Sequence, residues 1–299
     1  MTLLDRLFVI LMPLAPKPLV AMVSRRYIAG SEIEQAVDKV KQLNAAGMTA
    51  TLDLLGESST LEQECQAAVD EYLLILETIE RQDLDSNISV KPTQLGLLID
   101  TDLCYRNIRT LVEGARVRNN FVRIDMEDSS CTSATIEIFS RLRAEFDNVG
   151  IVIQAYLRRS LEDVKRLAKM GANLRLCKGI YIEPRKIAFR DPEIVNLNFA
   201  LLTETAMKAS RYIGVATHDE QVVWHTFRLI EQLGINRDDF EFQMLLGVDE
   251  ELRQILVDAG YRLRVYVPYG KQWYAYCKRR LKENPRIGTY VLKAMLRLS

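Results

Sequence analysis

The sequence predicts one α/β architecture: a closed (β/α)8 TIM-type barrel with extra N-terminal helices and a last helix lying over the barrel mouth. Three observations predict it. After residue 30, short β-rich runs alternate with longer helical patterns eight times, and strands alternating with helices of ten or more residues imply a parallel sheet. The chain has 299 residues, which suits a barrel that routinely runs to about 250 residues as a single domain. The first strand leads into DLLGESS, whose one glycine does not match the glycine-rich phosphate turn of a doubly wound sheet.

The elements follow in order. Residues 1–29 are expected to form an N-terminal helical segment, and residues 30–299 the barrel. MTLLDRLFVILMPLAPKPLVAMV is apolar, but Asp5, Arg6, Lys17 and the prolines at 13, 16 and 18 interrupt it. Its apolar run is far shorter than the ~20 residues a spanning helix needs. No basic leader region or small-residue cleavage pattern marks a signal peptide. Two short helices broken near Pro13–Pro18 fit, packed over the bottom of the domain. Ser31–Gly47 reads as a helix, with Ser31 and Glu34 as a capping box and Gly47 as its stop. The expected strands are Met48–Leu54, Asn87–Lys91, Asn120–Asp125, Gly150–Ala155, Asn173–Cys177, Ile213–Ala216, Phe240–Met244 and Arg262–Val267. Between them stand helices over Leu61–Arg81, Asp102–Asn119, Cys131–Glu145 (led by Ser/Thr caps), Ser160–Lys169, part of Asp191–Tyr212, Glu220–Leu233 and the region around Asp249–Ala259. An aromatic helix with Arg279, Arg280 and Glu283 follows the eighth strand.

Composition narrows the function classes. Forty basic and forty acidic residues cancel, so no global field attracts nucleic acid. The cysteines at 65, 104, 131, 177 and 277 are scattered and odd in number, with no C-x-x-C pair. That argues against a disulfide framework or a structural zinc site and fits a cytoplasmic location. Two histidines exclude a histidine-rich metal centre, and no metal is expected.

A barrel of this kind carries its active site at the C-terminal strand ends. The polar residues expected there are Asp53 and Glu57, Lys91, Asp125 with Glu127 and Asp128, Gln154 and Tyr156, Arg175 with Lys178 and Tyr181, Thr217 with His218 and Asp219, Gln243, and Tyr266. Each has a plain structural reading, and a strand-end acid such as Asp53 is often a helix cap. Collectively, Lys91, Arg175, Lys178, Arg279 and Arg280 around one concave mouth point to an anionic ligand. Paired guanidiniums suit a carboxylate or phosphate held by forked hydrogen bonds. With no nucleophile–base pair and no ligand cluster for a metal, an organic cofactor would supply the missing chemistry.

These residues resemble the proline dehydrogenase family, including the proline dehydrogenase domain of proline utilisation A. The matching pieces are DLLGE at 53–57, SVK at 89–91, RID at 123–125, IQAY at 153–156, RLCKGIYIEP at 175–184, ATHD at 216–219, FEFQMLLG at 240–247 and the stretch from Arg264 to Asn284. The match is similar to the short stand-alone bacterial enzymes. The resemblance implies FAD as cofactor, with Gln154, Arg175, Lys178, Gly179, Thr217, His218 and Gln243 lining its site and Arg175 near flavin N5. It implies that Arg279, Arg280 and Lys91 bind the proline carboxylate. Asp125 would position the cations, Tyr181, Leu245 and Tyr266 would wall the ring, and Glu283 would brace the arginines. It further implies hydride transfer from L-proline to flavin N5, 1-pyrroline-5-carboxylate as product, and a membrane quinone as electron acceptor, with Pro13–Val23 as the candidate for peripheral membrane contact. The chain departs from the family pattern at Pro92, which removes an N–H donor beside Lys91, at Ile180, bulkier than the usual alanine, and at Asp219, where asparagine is usual. A competing chemistry on the same barrel is a Schiff-base aldolase or lyase using Lys91 or Lys178 on a keto acid.

Overall fold

Alternation along each strand decides what this barrel encloses. In β7 (Phe240–Leu245) Phe240, Phe242 and Met244 turn outward, while Glu241 and Gln243 turn into the barrel. In β8 (Leu263–Tyr269) Leu263, Val265 and Val267 face the helices, and Arg264 and Tyr266 face inward. The computed structural model describes residues 26–209 and 212–274. The other strands are β1 (Thr49–Leu54), β2 (Ser86–Val90), β3 (Val122–Ile124), β4 (Val149–Gln154), β5 (Asn173–Cys177) and β6 (Tyr212–Ala216). All eight are parallel and close in chain order, with Thr49–Leu54 lying against Arg264–Tyr269.

The described helices are α1 (Ile33–Ala45), α2 (Glu62–Arg81), α3 (Thr101–Arg116), α4 (Thr132–Glu145), α5 (Ser160–Lys169), α6 (Pro192–Met207), α7 (Glu220–Leu233) and α8 (Glu250–Asp258). Their apolar faces and the outward strand residues form one continuous core between sheet and helices. Four helices begin on an aspartate whose carboxylate accepts a backbone N–H: Asp100, Asp191, Asp219 and Asp249. Elements expected over Asn173–Cys177, Ser160–Lys169 and Glu220–Leu233 occupy those residues.

Several boundaries differ for identifiable reasons. Helix α1 is capped from within. Gln35 Oε1 accepts from the backbone N–H groups of Ser31 and Glu32 at 2.9 and 3.2 Å, in place of the expected Ser31–Glu34 box. Helix α4 starts after Cys131 with no side-chain cap. Strand β3 shortens because Asn120 folds back to accept from Phe121 N at 2.7 Å. Strand β8 runs past Val267 through Pro268. Its pairing to β7 ends at Tyr266, so the missing proline N–H leaves no ladder acceptor waiting. The Pro268 carbonyl on that side accepts from Ala29 N at 2.8 Å.

Residues 26–30 form a turn and an extended run, not helix. They cross the mouth end of the barrel: Gly270 N donates to Gly30 O at 3.0 Å, and the Arg26 backbone packs directly against Gly247. The described chain therefore begins at the mouth. The expected helices of residues 1–25, Pro13–Val23 among them, and the helix with Arg279, Arg280 and Glu283 lie outside the described residues. Among the described residues, no helix is long and apolar enough to cross a membrane.

Candidate active site at the barrel mouth

A barrel interior is usually filled by branched apolar side chains. Here the inward positions carry Thr51 and Asp53, Asn87 and Ser89, Arg123 and Asp125, Arg175, Glu241 and Gln243, and Arg264 and Tyr266. Polar groups this deeply buried seek partners in one another, and Asn87, Ser89, Asp125, Arg175, Glu241, Gln243, Arg264 and Tyr266 do so as a connected network, while Arg123 bonds to Asn173 and Ile151 O. Asp125 is its hub. Its Oδ1 accepts from Ser89 Oγ at 2.6 Å and from Arg175 Nη1 at 2.9 Å, and its Oδ2 from the Tyr266 hydroxyl at 2.7 Å. The Arg175 guanidinium lies 5.4 Å from the Tyr266 ring centre, donates from Nη1 to Ser89 Oγ at 3.2 Å, and from Nε to Gln243 Oε1.

Above this network opens a cavity of about 860 Å³. Lys91, Asp125, Gln154, Arg175, Lys178, Gly179, Tyr181, Thr217, His218, Gln243, Leu245 and Tyr266 all line it. The structure thus brings together the described residues expected to bind substrate or cofactor, while Asp53, Glu57, Asp128 and Tyr156, also expected at the strand ends, do not line the cavity. The roles of Arg279, Arg280 and Glu283 fall outside it. Gly179 has φ of +99° and a Cβ there would strike the Tyr156 ring, so this wall can take only glycine. His218 Nε2 accepts from Leu245 N at 2.9 Å, which places that ring's proton on Nδ1.

The electrostatics correct one expectation. The mouth is not simply cationic, because Lys91 pairs with Asp53, Arg175 with Asp125 at 2.9 Å, and Lys178 with Asp219 at 2.5 Å. Asp53 is no helix cap: it is wholly buried and holds the Lys91 ammonium. Burial pushes the Lys91 pKa down, but the Asp53 and Asp125 carboxylates outweigh it and hold the pKa above the ordinary lysine value. Asp219 caps α7 and accepts from both Lys178 and Asn196. Burial raises its pKa, and those donors more than reverse the effect, leaving it below the ordinary value. The negative charge that Asp219 adds is thus answered by Lys178. Pro92 ends β2 at Val90 and opens a turn in which its carbonyl accepts from Leu95 N at 3.0 Å. Ile180 lines the cavity half-exposed.

Sequence reasoning missed Ser89 and Glu241. Ser89 bridges Asp125 and Arg175, and Glu241 supports Gln243 from below. Both occupy alternate, inward positions of their strands, so the period-two pattern of FEFQM and NISVK contained the signal. Glu127 was expected only as a rim acid. It is buried and ties Thr93 through N and Oγ1 at 2.8 and 2.6 Å, anchoring the loop after β2.

With the site in view, the comparisons with known proteins are specific. The family model described as proline dehydrogenase matches residues 36–290. The chain is 39% identical over 274 residues to proline dehydrogenase 1 of Bacillus subtilis subsp. natto, covering 92% of this chain and 91% of the relative. It is 37% identical over 279 residues to proline dehydrogenase of Deinococcus radiodurans, covering 92% and 90%. The structure of proline utilization A from Bdellovibrio bacteriovorus inactivated by N-propargylglycine superposes with a TM-score of 0.84 at 28% identity. That match covers 89% of this chain and 33% of the other, so the chain spans about a third of that longer protein. A mouth built from these motifs on a closed eight-stranded barrel, matched over nine-tenths of stand-alone bacterial relatives, places this chain in the proline dehydrogenase family of oxidoreductases.

Proposed function

We propose that the protein is a FAD-dependent enzyme that oxidises L-proline to 1-pyrroline-5-carboxylate and passes the electrons to a membrane quinone. The observation that carries the reading is the Asp125–Arg175–Tyr266 cluster buried at the floor of a cavity of about 860 Å³. Ligand pockets span roughly 300–1,000 Å³, and this one has far more room than a proline needs.

The residues present fit a flavin. Gln154 Nε2 donates to Met126 O at 3.3 Å, which fixes the amide and leaves Oε1 as a buried acceptor with no hydrogen-bond partner at the cavity wall. A ligand N–H would satisfy it. Gly179 keeps the adjoining wall free of a side chain. When bound, the flavin would supply the two-electron acceptor for the hydride that leaves the ring carbon next to the proline nitrogen. The chain's own residues bind and orient. Arg175 would place positive charge near that acceptor, where reduction develops negative charge. Lys91, with Arg279 and Arg280, would hold the carboxylate, and Tyr181, Leu245 and Tyr266 would enclose the ring. Pinning the carboxylate fixes which carbon is presented, the proximity contribution to catalysis. Asp125, holding Arg175, Ser89 and Tyr266 at once, would keep these donors in register. Lys91 argues against Schiff-base chemistry, because a lysine held protonated between Asp53 and Asp125 lacks the lone pair that step requires.

The purified protein should show a flavin band in its visible spectrum that bleaches on adding L-proline. A colourless protein that borohydride traps with a keto acid would overturn the reading in favour of the aldolase. Arg279→Met or Arg280→Met should raise KM for proline strongly while FAD stays bound; unchanged proline kinetics in both would remove them from the carboxylate site. For the membrane step, Pro13–Val23 is the proposed contact. A deletion of residues 1–23 that still reduces membrane quinone at the normal rate would count against it.

A further inference from the structure

Beneath the mouth lies a buried ion pair that the proposed reaction does not call on. Glu241 on β7 is 2% exposed, and Arg264 on β8 donates to it from Nε at 2.7 Å. Arg264 is itself pinned, donating from Nη1 to Ala50 O at 2.6 Å and to Asn87 Oδ1 at 3.2 Å. The carboxylate oxygen that receives Arg264 also accepts from Gln243 Nε2 at 2.6 Å. The other end of that amide, Gln243 Oε1, accepts from Arg175 Nε. A continuous line of hydrogen bonds therefore runs from the lower barrel to the guanidinium at the cavity floor.

A glutamine amide has two orientations half a turn apart, nearly equal in shape and opposite in hydrogen bonding. Here they are far from equal. In the observed one, a donor meets the Glu241 carboxylate and an acceptor meets Arg175. In the reversed one, carbonyl would face carboxylate and NH2 would face N–H, two like-with-like contacts in a buried site where each is costly. Burial works against the Glu241 charge, but Arg264 and Gln243 more than compensate, so the carboxylate stays ionised. Gly214 on β6 completes the arrangement. Its φ is not in the left-handed region, yet a Cβ there would collide with the Gln243 amide, so the missing side chain makes room for it.

We propose that Glu241 is a positioning residue for Arg175, acting by fixing the orientation of the Gln243 amide. With Nε committed to Gln243 and Nη1 to Asp125 and Ser89, the plane of the guanidinium beneath the cavity is set. The inference rests on the reading of Arg175 as the cation beside bound flavin. It predicts effects on flavin reduction without effects on proline capture, because the carboxylate is assigned to other cations.

The test uses the holoenzyme and two perturbations of different kind. Glu241→Gln/Arg264→Met removes one charge of each sign, so the direct field on the site changes little while the amide loses its fixed orientation. Gly214→Ala leaves every charge in place and displaces Gln243 sterically. Each should lower kcat about tenfold or more, leave KM for proline within about twofold, and shift the bound-flavin midpoint potential to more negative values. In a Gln243→Met background, the Glu241→Gln/Arg264→Met change should add less than about twofold. Wild-type kcat and potential in Gly214→Ala would overturn the proposal, even if the charge-pair variant fails to fold. An undiminished effect of the charge-pair change in the Gln243→Met background would overturn it too. A wild-type protein whose visible spectrum holds no proline-bleached flavin would instead overturn the functional reading, and this inference with it; the two failures are read from different samples.

Discussion

Two lysines on one rim, each beside an aspartate, are held in different ways. Lys91 and Asp53 have side chains 11% and 0% exposed, whereas Lys178 and Asp219 are 34% and 32% exposed. In the first pair, burial penalises both charges heavily, so each depends on the other. In the second, water and salt screen the attraction, and Asp219 keeps other partners in Asn196 and the start of α7. The same ion-pair chemistry thus yields a fixed side of the mouth, under β1, β2 and β3, and an adjustable side after β5 and β6. On the proposed reading, the proline carboxylate would lie against the fixed side at Lys91 and the flavin would reach the adjustable side at Lys178.

The sharpest way to break this comparison is to strand the buried charge. Lys91→Met should cost about 3–5 kcal/mol of unfolding free energy at neutral pH, because Asp53 is left without its cation. Adding Asp53→Asn should restore most of the loss. Chemical denaturation of both variants checks this, and a cost under about 1 kcal/mol for Lys91→Met would make the pair no different from an exposed one. The pH dependence has a definite sign. A lysine whose folded pKa is raised contributes stability that is fully present below its ordinary value of 10.5 and is lost as pH rises through the higher folded value. The Lys91 contribution to the difference between wild type and the double variant should therefore be flat through neutral pH and fall in strong alkali, while Asp53, whose carboxyl pKa burial holds above its ordinary 3.8, adds a separate fall as pH rises from that value through the higher folded one.

Next in size is the hub. Tyr266→Phe removes the donor to Asp125 Oδ2 while keeping the ring against Arg175. Hydrogen bonds to charged groups are worth about 1.5–3 kcal/mol, so kcat/KM for proline should fall by about tenfold or more. Steady-state kinetics with intact FAD content decides it, and a loss below about twofold would show that Ser89 and Arg175 hold Asp125 unaided.

The same contrast decides how much of the fold and the site is legible in the sequence. The strands were legible because their outward faces meet helices and read as alternating apolar residues, Phe240, Phe242 and Met244 being the plainest case. Lys91, Arg175 and Lys178 were legible as rim cations because strand ends place them there. Their partners were not, since an ion pair such as Lys91–Asp53 joins residues 38 apart and is set by strand register and side-chain reach, which composition does not encode. A count of cations therefore overstated the positive charge of the mouth. Asp53 stood among the expected mouth residues with a helix cap as its alternative reading, because strand-end acids often cap the helix that follows, and the sequence holds nothing that ties it to Lys91. The course of residues 26–30 was equally hidden. It depends on Arg26 packing against Gly247 and Gly30 meeting Gly270, contacts between residues more than 200 positions apart.

The smallest effect belongs to the adjustable side, and its size is the point of measuring it. Asp219→Asn keeps an oxygen able to cap α7, removes the charge that faces Lys178 and gives up the acceptor that Oδ2 offers to Lys178 and Asn196, so the same measurement on Asn196→Ala is subtracted to leave the Lys178 attraction. For a half-exposed pair that attraction is worth about 0–1 kcal/mol after screening. Because the folded pKa of Asp219 is depressed, its contribution is present above the ordinary value of 3.8 and is lost as pH falls through the lower folded value. The wild-type advantage over Asp219→Asn should therefore hold from neutral pH down to about pH 4, vanish in stronger acid, and shrink at high salt. Thermal unfolding across that pH range, at low and high salt, separates the cases. A loss above about 2 kcal/mol, insensitive to salt, would mean that Lys178 and Asp219 are as rigidly coupled as Lys91 and Asp53, and the mouth would then have no adjustable side.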